Sequence, residues 1–274
     1  MKKFMQLVSL LLVFCLLAGC QKNAEGRRAL RVPDMMVVPQ SFQAFEEQKK
    51  KVPMSKNRKQ TIITKRVGER IIAVAKKLYP EECKGFKWEV QLFDEPKTVN
   101  AYCMPGGKIG IYTGILPVCQ NEAALAAVMG HEVAHALLKH GNERVAHQLG
   151  ASGALLAAQF GLSQSKKLSG DMKNAILSAA GVGINVGAIL PYSRFHESEA
   201  DRMGLFMLAH AGYDPNEAPE LWRRMKAKSG GKAPPPFLST HPSNDKRIKK
   251  LTELQKEVRS IYAKSKKYGK GDRL

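Results

Sequence analysis

The chain has 274 residues and carries 44 Lys and Arg against 24 Asp and Glu, a formal net charge of +20 at pH 7. This length allows one sizeable buried core, or one domain with appended segments. None of the five cysteines forms a Cys-x-x-Cys pair, which argues against an all-cysteine zinc site. The excess positive charge indicates a solvated basic helix or an anionic surface as partner, and not nucleic acid, since the N-terminus is typical of an exported protein.

The first nineteen residues have the pattern of a targeting segment. Lys2 and Lys3 precede LVSLLLVFCLLAG, an apolar run too short to cross a bilayer comfortably. The run ends in LAGC, residues 17–20, which resembles the bacterial lipobox. This resemblance implies cleavage before Cys20, lipidation of its thiol, and a position facing the periplasm. Gln21 favours the outer membrane over the inner one. The alternative is a plain secretory signal or a short anchor.

The segment 20–57 is polar, contains three prolines, and is predicted to be a tether with at most one short helix. The predicted globular domain is 58–274, which leaves 1–19 as the lipoprotein signal peptide. Three cysteines lie in this domain, and they can form at most one disulfide, whose pairing the sequence does not give. They are Cys83, Cys103 and Cys119.

The early part of the domain predicts a helix followed by strands. Apolar residues recur at helical spacing from Ile63 to Leu78, and Pro80 ends this predicted helix. Alternation in FKWEVQLFD predicts a half-buried strand, and TVNAYCMPGGKIGIYTG predicts two strands joined by a Pro-Gly-Gly turn. Helices dominate thereafter. The order predicts an α+β fold, mainly helical, with a small antiparallel sheet before the helix that contains HEVAH.

The later helices are bounded by capping residues. Asn121 is a predicted N-cap, and Gly141 is predicted to lie just past the end of the same helix. The apolar segment 174–190 is predicted to be a buried helix, with a transmembrane helix as the alternative, because it is shorter than a bilayer span and contains Asn185. Gly212 is predicted to end the following helix. A Gly/Pro loop, 229–243, then precedes a basic C-terminal helix.

The segment GHEVAHALLKH predicts a metal site, although a His-rich amphipathic helix is the alternative. His131 and His135 are four residues apart, so both imidazoles face one side of a helix and can bind one zinc ion. Glu132 lies beside them, where it can take a proton from a zinc-bound water. Each residue type therefore has a chemical role at its spacing.

The segment HESEAD supplies a candidate third ligand. Glu197 and Asp201 share a helix face, whereas Glu199 points away from it. One carboxylate can bind the metal while the other accepts a hydrogen bond from a zinc-bound imidazole. Two carboxylates turned toward a core need a positive partner, and a metal ion provides one.

These motifs resemble those of the zinc metallopeptidase family that includes HtpX and the CAAX prenyl endopeptidases. HEVAH and ESEAD match its H-E-x-x-H and E-x-E-A-D motifs, and NAYCMPGGKIGIYTGIL resembles the segment before its active helix. The chain resembles the soluble, exported branch of this family, typified by LoiP-like lipoproteins, BepA and, more distantly, the mitochondrial Oma protease. The resemblance implies that His131, His135 and Glu197 are zinc ligands. It also implies that Glu132 is the general base and Asp201 the supporting acidic group.

His241 is a further candidate, because it precedes Pro242 in the Gly/Pro loop. In BepA-like relatives a His-Pro pair at a similar place can reach the zinc. His241 is therefore predicted to be a fourth ligand of the resting enzyme or a donor to the oxyanion. Four other histidines are predicted to lie at the surface, at helix ends or facing away from the site: His140, His147, His196 and His210.

The sequence thus predicts an endopeptidase with one zinc ion per chain, acting on misfolded or unassembled proteins of the bacterial envelope. The segment GGKIGIYTG is expected to pair with an extended substrate by strand addition. The predicted partners besides substrates are the membrane, through the N-terminal lipid, and anionic lipid or lipopolysaccharide, through the basic C-terminal helix. The alternative function is an envelope chaperone or binding lipoprotein with a closed or structural zinc site.

Overall fold

The structure, a computed structural model, describes residues 19–164, 169–172, 174, 190–229, 235–242 and 245–274. The strands of this described part are β1 (Gly19–Lys22), β2 (Arg28–Arg31), β3 (Glu89–Phe93), β4 (Ala101–Met104) and β5 (Lys108–Tyr112). Its helices are α1 (Asp34–Lys51), α2 (Arg58–Leu78), α3 (Leu116–Cys119), α4 (Glu122–Leu137), α5 (His140–Gln164), α6 (Leu190–His210), α7 (Glu217–Ser229), α8 (Pro236–Thr240) and α9 (Asp245–Lys264). The chain divides into two compact units. Unit 1 is Met1–Val37 with Lys139–His196, and unit 2 is Val38–Leu138 with Glu197–Leu274.

Unit 2 contains a three-stranded sheet in the order β3-β5-β4. The predicted hairpin of β4 and β5 is present, and its second strand lies between β4 and β3. Strand β5 therefore runs antiparallel to β4 but parallel to β3. The α+β class is confirmed, but the sheet is mixed and not wholly antiparallel, because β5 and not β4 pairs with β3.

Helices α2 and α4 form the core beside this sheet. The predicted N-cap of α4 is confirmed, since the side chain of Asn121 accepts a hydrogen bond of 2.9 Å from the backbone N–H of Ala124. Every residue of α4 is buried. The helix that carries HEVAH is thus surrounded by protein, which holds its polar side chains in fixed positions.

Helix α4 ends sooner than predicted. Lys139 adopts a φ of +58°, in the left-handed region, and α5 then begins at His140. Gly141 consequently lies in the first turn of α5 and not just past the end of the active helix. His140, predicted to sit on that helix, belongs to the next one.

Helix α6 packs closely against α4. A Cβ atom placed on Gly204 would lie 2.8 Å from the backbone nitrogen of His131, so only glycine allows this approach. Beyond α6, Gly212 has a φ of +82°, which confirms the predicted helix end. This tight crossing places the acidic side chains of α6 beside the histidines of α4.

The predicted tether at 20–57 is wrong, because most of it is folded. Strands β1 and β2 form an antiparallel pair in unit 1, and Arg31 is only 1% exposed. In unit 2, Phe45 of α1 is completely buried. The segment is polar on average, so its composition did not indicate that a few apolar and arginine side chains are buried.

A buried ionic cluster fastens β2 to α5 within unit 1. Glu143 of α5 accepts hydrogen bonds of 2.7–2.9 Å from the guanidinium groups of Arg27 and Arg31. His196 places Nε2 2.9 Å from the same carboxylate. Burial alone would raise the pKa of Glu143, but the bonds from His196, Arg27 and Arg31 lower it to about 2. The carboxylate of Glu143 therefore stays ionised down to strongly acidic pH.

Two other predictions concern the cysteines and the apolar segment. Among the described residues, Cys83, Cys103 and Cys119 are free thiols, so the one disulfide that their number allows is not formed. Most of the predicted buried helix at 174–190 lies outside the described residues. No helix within the described part of the chain is long and apolar enough to cross a membrane.

Candidate metal centre

Four buried side chains of unit 2 converge on one point. His131 and His135 come from α4, Glu197 from α6, and His241 from the residue that follows α8. One potential ligand atom from each lies within 4.8 Å of all the others. None of the four residues is more than 9% exposed. The structure thus brings together the predicted ligands and the loop histidine.

The spacing of the donor atoms suits a small tetrahedral ion. The Nε2 atoms of His131 and His135 are 3.1 Å apart, and Nδ1 of His241 lies 2.9 Å from Oε1 of Glu197. Oε1 of Glu197 is also 3.2 Å from Nε2 of His135. A tetrahedron with metal–ligand bonds of about 2.0–2.1 Å has edges of about 3.3–3.4 Å. Adjustments of a few tenths of an ångström would therefore accommodate zinc.

Glu197 is the anionic member of this set. Burial alone would raise its pKa, but the imidazoles of His131, His135 and His241 hold the pKa well below its usual range. A carboxylate that stays ionised among imidazoles is a suitable ligand for a divalent cation, and it offsets part of the cation's charge.

Glu132 lies next to the ligand cluster without belonging to it. It is 4% exposed, and its Oε1 atom lies 3.3 Å from Nε2 of His241. Among the described residues that oxygen makes no hydrogen bond, and the backbone of Cys103 in β4 lies near the carboxylate. Burial raises the pKa of Glu132 against the opposing effect of His241 and His131. A buried carboxylate with a raised pKa beside a metal site is placed to act as a base.

Asp201 contacts a ligand rather than the centre of the cluster. Its Oδ1 atom lies 3.1 Å from Nδ1 of His131, on the side of the ring away from the other donors. Burial alone would raise its pKa, but the positive charge of Arg247 lowers it. Glu199, on the same helix, is half-buried and outside the cluster. The two carboxylates directed at the site are thus Glu197 and Asp201, which were predicted to share one side of the helix.

Arg247 is a site residue that sequence reasoning missed. Its Nε and Nη2 atoms donate hydrogen bonds of 2.6 and 2.7 Å to Asp201, and Nη1 lies 2.9 Å from Oε2 of Glu197. Its guanidinium carbon sits 3.5 Å from the centre of the Trp222 ring. The residue therefore compensates two buried carboxylates. No local signal distinguishes it from its basic neighbours in α9, most of which are exposed.

His241 is held in place by aromatic packing and by its backbone. Its N–H donates a hydrogen bond of 2.8 Å to the carbonyl of Phe237, and the two rings are 4.8 Å apart. The ring of Phe237 in turn stacks on Trp222. The loop histidine therefore has a defined position between Glu197 and Glu132.

The other histidines lie outside this centre. His140 and His196 stack with ring centroids 4.1 Å apart in unit 1. The prediction of a surface position is wrong for His196, which is 4% exposed, because the charge of Glu143 makes its burial favourable. His147 and His210 are half-buried.

The strand available to a substrate differs from the predicted one. Strand β5, which contains most of GGKIGIYTG, is central and already pairs on both sides. Strand β4 lies at one edge of the sheet, and the backbone of Cys103 in this strand lies near Glu132. Strand addition at β5 is therefore excluded, whereas β4 offers a free sheet edge near the site.

Comparison with known proteins assigns the family. The model of Peptidase family M48 matches residues 58–255, most of the chain and all of the metal centre. The chain belongs to peptidase family M48. This confirms the family inferred from the HEVAH and ESEAD motifs, and M48 membership agrees with a metal-dependent site built from His131, His135 and Glu197.

Several curated M48 relatives cover the same region. The mitochondrial metalloendopeptidase OMA1 of Schizosaccharomyces pombe is 40% identical over 200 residues, which are 72% of this chain and 54% of the relative. The OMA1 protein of Arabidopsis thaliana is 38% identical over 181 residues, which are 65% of this chain and 34% of the relative. A putative beta-barrel assembly-enhancing protease of Vibrio cholerae is 34% identical over 153 residues, which are 56% of this chain and 31% of the relative. The chain spans about half the length of these relatives or less.

The predicted localisation is contradicted by these relatives. Mitochondrial proteins of fission yeast, Arabidopsis and budding yeast, at 40, 38 and 33% identity, point to a mitochondrial setting rather than a bacterial outer membrane. An apolar N-terminal run that ends in small residues does not by itself define the compartment. Lipidation of Cys20 remains a prediction that depended on that localisation. Cys20 lies in β1, where it pairs with Leu30.

Proposed function

We propose that this M48 chain is a zinc-dependent endopeptidase that cleaves unfolded or unassembled proteins. The observation that carries the proposal is a buried carboxylate, Glu132, beside three imidazoles and a second carboxylate. Bound zinc would supply Lewis-acid chemistry, polarising the scissile carbonyl and lowering the pKa of a water molecule. The relatives named as endopeptidases and proteases support this reading.

Each side chain of the centre then has a separate task. His131, His135 and Glu197 hold the metal, and Asp201 orients His131 by accepting a hydrogen bond from its Nδ1. Glu132 takes the proton from the attacking water and delivers it to the leaving amine. Its burial supports this role, because a raised pKa brings the carboxyl closer to the pH at which it works.

The edge of β4 suggests how substrate is held. An extended segment that pairs with this strand would pass beside Glu132, because Cys103 in β4 lies near that carboxylate. Main-chain pairing selects for extended conformation more than for a particular side chain. The proposed substrates are therefore unfolded segments, which expose their backbone groups.

Metal removal tests the proposed function. Treatment with a zinc chelator should abolish cleavage of unfolded casein, and one zinc ion per chain should restore it, because the donor set of three imidazoles and a carboxylate suits zinc. Release of labelled peptides measures the rate of casein cleavage, and elemental analysis of the protein measures its zinc content. Undiminished cleavage by metal-free protein would contradict the proposal. Stoichiometric zinc without any cleavage would instead support the alternative of a binding protein.

His241 is expected to restrain the resting enzyme, because its Nδ1 atom occupies the ligand cluster where a water molecule must enter. The His241→Ala variant should therefore cleave casein several-fold faster than the wild type and keep its zinc. The alternative role of His241, as a donor to the oxyanion, predicts a change in turnover of the opposite direction. A donor to the oxyanion would lower kcat by about 100-fold or more on removal.

The matched control is His210→Ala, which removes a half-buried histidine outside the cluster. It should change neither zinc content nor turnover. If His241→Ala behaves in the same way as this control, His241 has neither proposed role.

A further inference from the structure

Exposed large hydrophobic side chains are concentrated in unit 1. Among the described residues, seven of the nine such side chains belong to this unit, although it is the smaller of the two. They are Leu30, Met35, Leu149, Leu156, Phe160, Met172 and Phe195. Apolar side chains gathered on one part of a surface mark an interaction site more often than scattered ones do.

Three of these side chains form a stripe along α5. Leu149, Leu156 and Phe160 are 43, 51 and 37% exposed. At 100° per residue they lie within about 40° of one another around the helix. No Asp, Glu, Lys or Arg occurs from 145 to 164. The outward face of α5 is thus apolar over most of the helix length, opposite to the usual arrangement of a surface helix.

The charge of unit 1 identifies the chemistry of the surface that would cover this stripe. From residue 19 onward, its sequence contains ten Lys and Arg but four Asp and Glu. Lys22, Arg28 and Arg144 are exposed among the described residues. Apolar side chains combined with surplus positive charge suit the boundary between anionic headgroups and acyl chains.

The N-terminal chain supplies a separate argument for a lipid surface. The apolar run 7–18 leads directly into β1, which pairs with β2. Strand β2 is fixed to α5 by the bonds between Arg31 and Glu143. If this run is retained as a membrane anchor, the membrane comes close to Glu143 in the first turn of α5.

We propose that the outward face of α5, defined by Leu149, Leu156 and Phe160, lies on an anionic lipid surface as an interfacial helix. The apolar side chains enter the headgroup boundary while the basic groups of unit 1 attract the headgroups. The helix lies along the membrane and does not cross it. This contact is independent of peptidase activity and requires no substrate.

Lipid quenching of a tryptophan on α5 tests the proposal in the full chain. Leu156→Trp is compared with Ile62→Trp, because both positions are 51% exposed but Ile62 belongs to α2 in unit 2. Trp88 and Trp222 contribute the same background to both variants. The vesicles contain phosphatidylcholine and phosphatidylglycerol, with brominated acyl chains as quenchers. Emission from position 156 should be quenched at least about twofold more strongly than that from position 62.

Two results would overturn the proposal. Equal quenching at both positions would show that α5 does not enter the lipid. Shielding of position 156 from aqueous iodide without vesicles, increasing with protein concentration, would show that a second copy of the chain covers the stripe. Both substitutions are at exposed positions, and circular dichroism of each variant verifies that the fold is kept.

Discussion

Replacing Glu132 with Gln should lower the rate of casein cleavage by about 10²- to 10⁴-fold, the usual contribution of a general base. The amide has nearly the same shape but cannot accept the proton of the attacking water. Zinc content should stay at the wild-type level, because Glu132 lies outside the four-residue ligand cluster. Initial rates with labelled casein and elemental analysis of the same preparation measure both effects.

The matched control is Glu199→Gln, which makes the same chemical change on a half-buried residue of α6. Its rate should remain near that of the wild type, since Glu199 is not part of the ligand cluster. Loss of zinc in Glu132→Gln would mean that Glu132 is a ligand. Wild-type turnover in that variant would mean that another group is the base.

Replacing Glu197 with Ala should remove the metal. The change deletes the one carboxylate among four donors and leaves the nearby guanidinium of Arg247 without one of its anionic partners. Zinc affinity should fall by more than the roughly 10- to 100-fold typical of residues that only support a ligand. Competition with a chromophoric chelator measures the affinity, and casein cleavage should be lost in parallel.

Asp201→Asn provides the comparison for Glu197→Ala, because Asp201 contacts His131 and not the centre of the cluster. Its zinc affinity should fall only within that roughly 10- to 100-fold range. Retention of one zinc per chain by Glu197→Ala would rule out Glu197 as the third ligand and direct attention to Glu199.

The sequence by itself determined the parts of the site that depend on one helix. Residues four apart share a helix face, so His131 with His135, and Glu197 with Asp201, could be paired without any structure. The positions of Asn121 and Gly212 likewise fixed helix ends, because capping depends on neighbouring residues. The α+β class followed from the order of periodic segments.

Only the tertiary structure decided which distant groups meet. Arg247 is 46 residues from Asp201 and 116 from His131, and nothing in its local sequence separates it from other basic residues of α9. Either strand of the β4–β5 hairpin could have paired with β3. Because β5 does, β4 is the hairpin strand that lies at a sheet edge. The burial of His196 depended on Glu143, which lies 53 residues away. Local spacing defines the face of a helix, but the pairing of buried charges and strands is settled by packing between segments far apart in the chain.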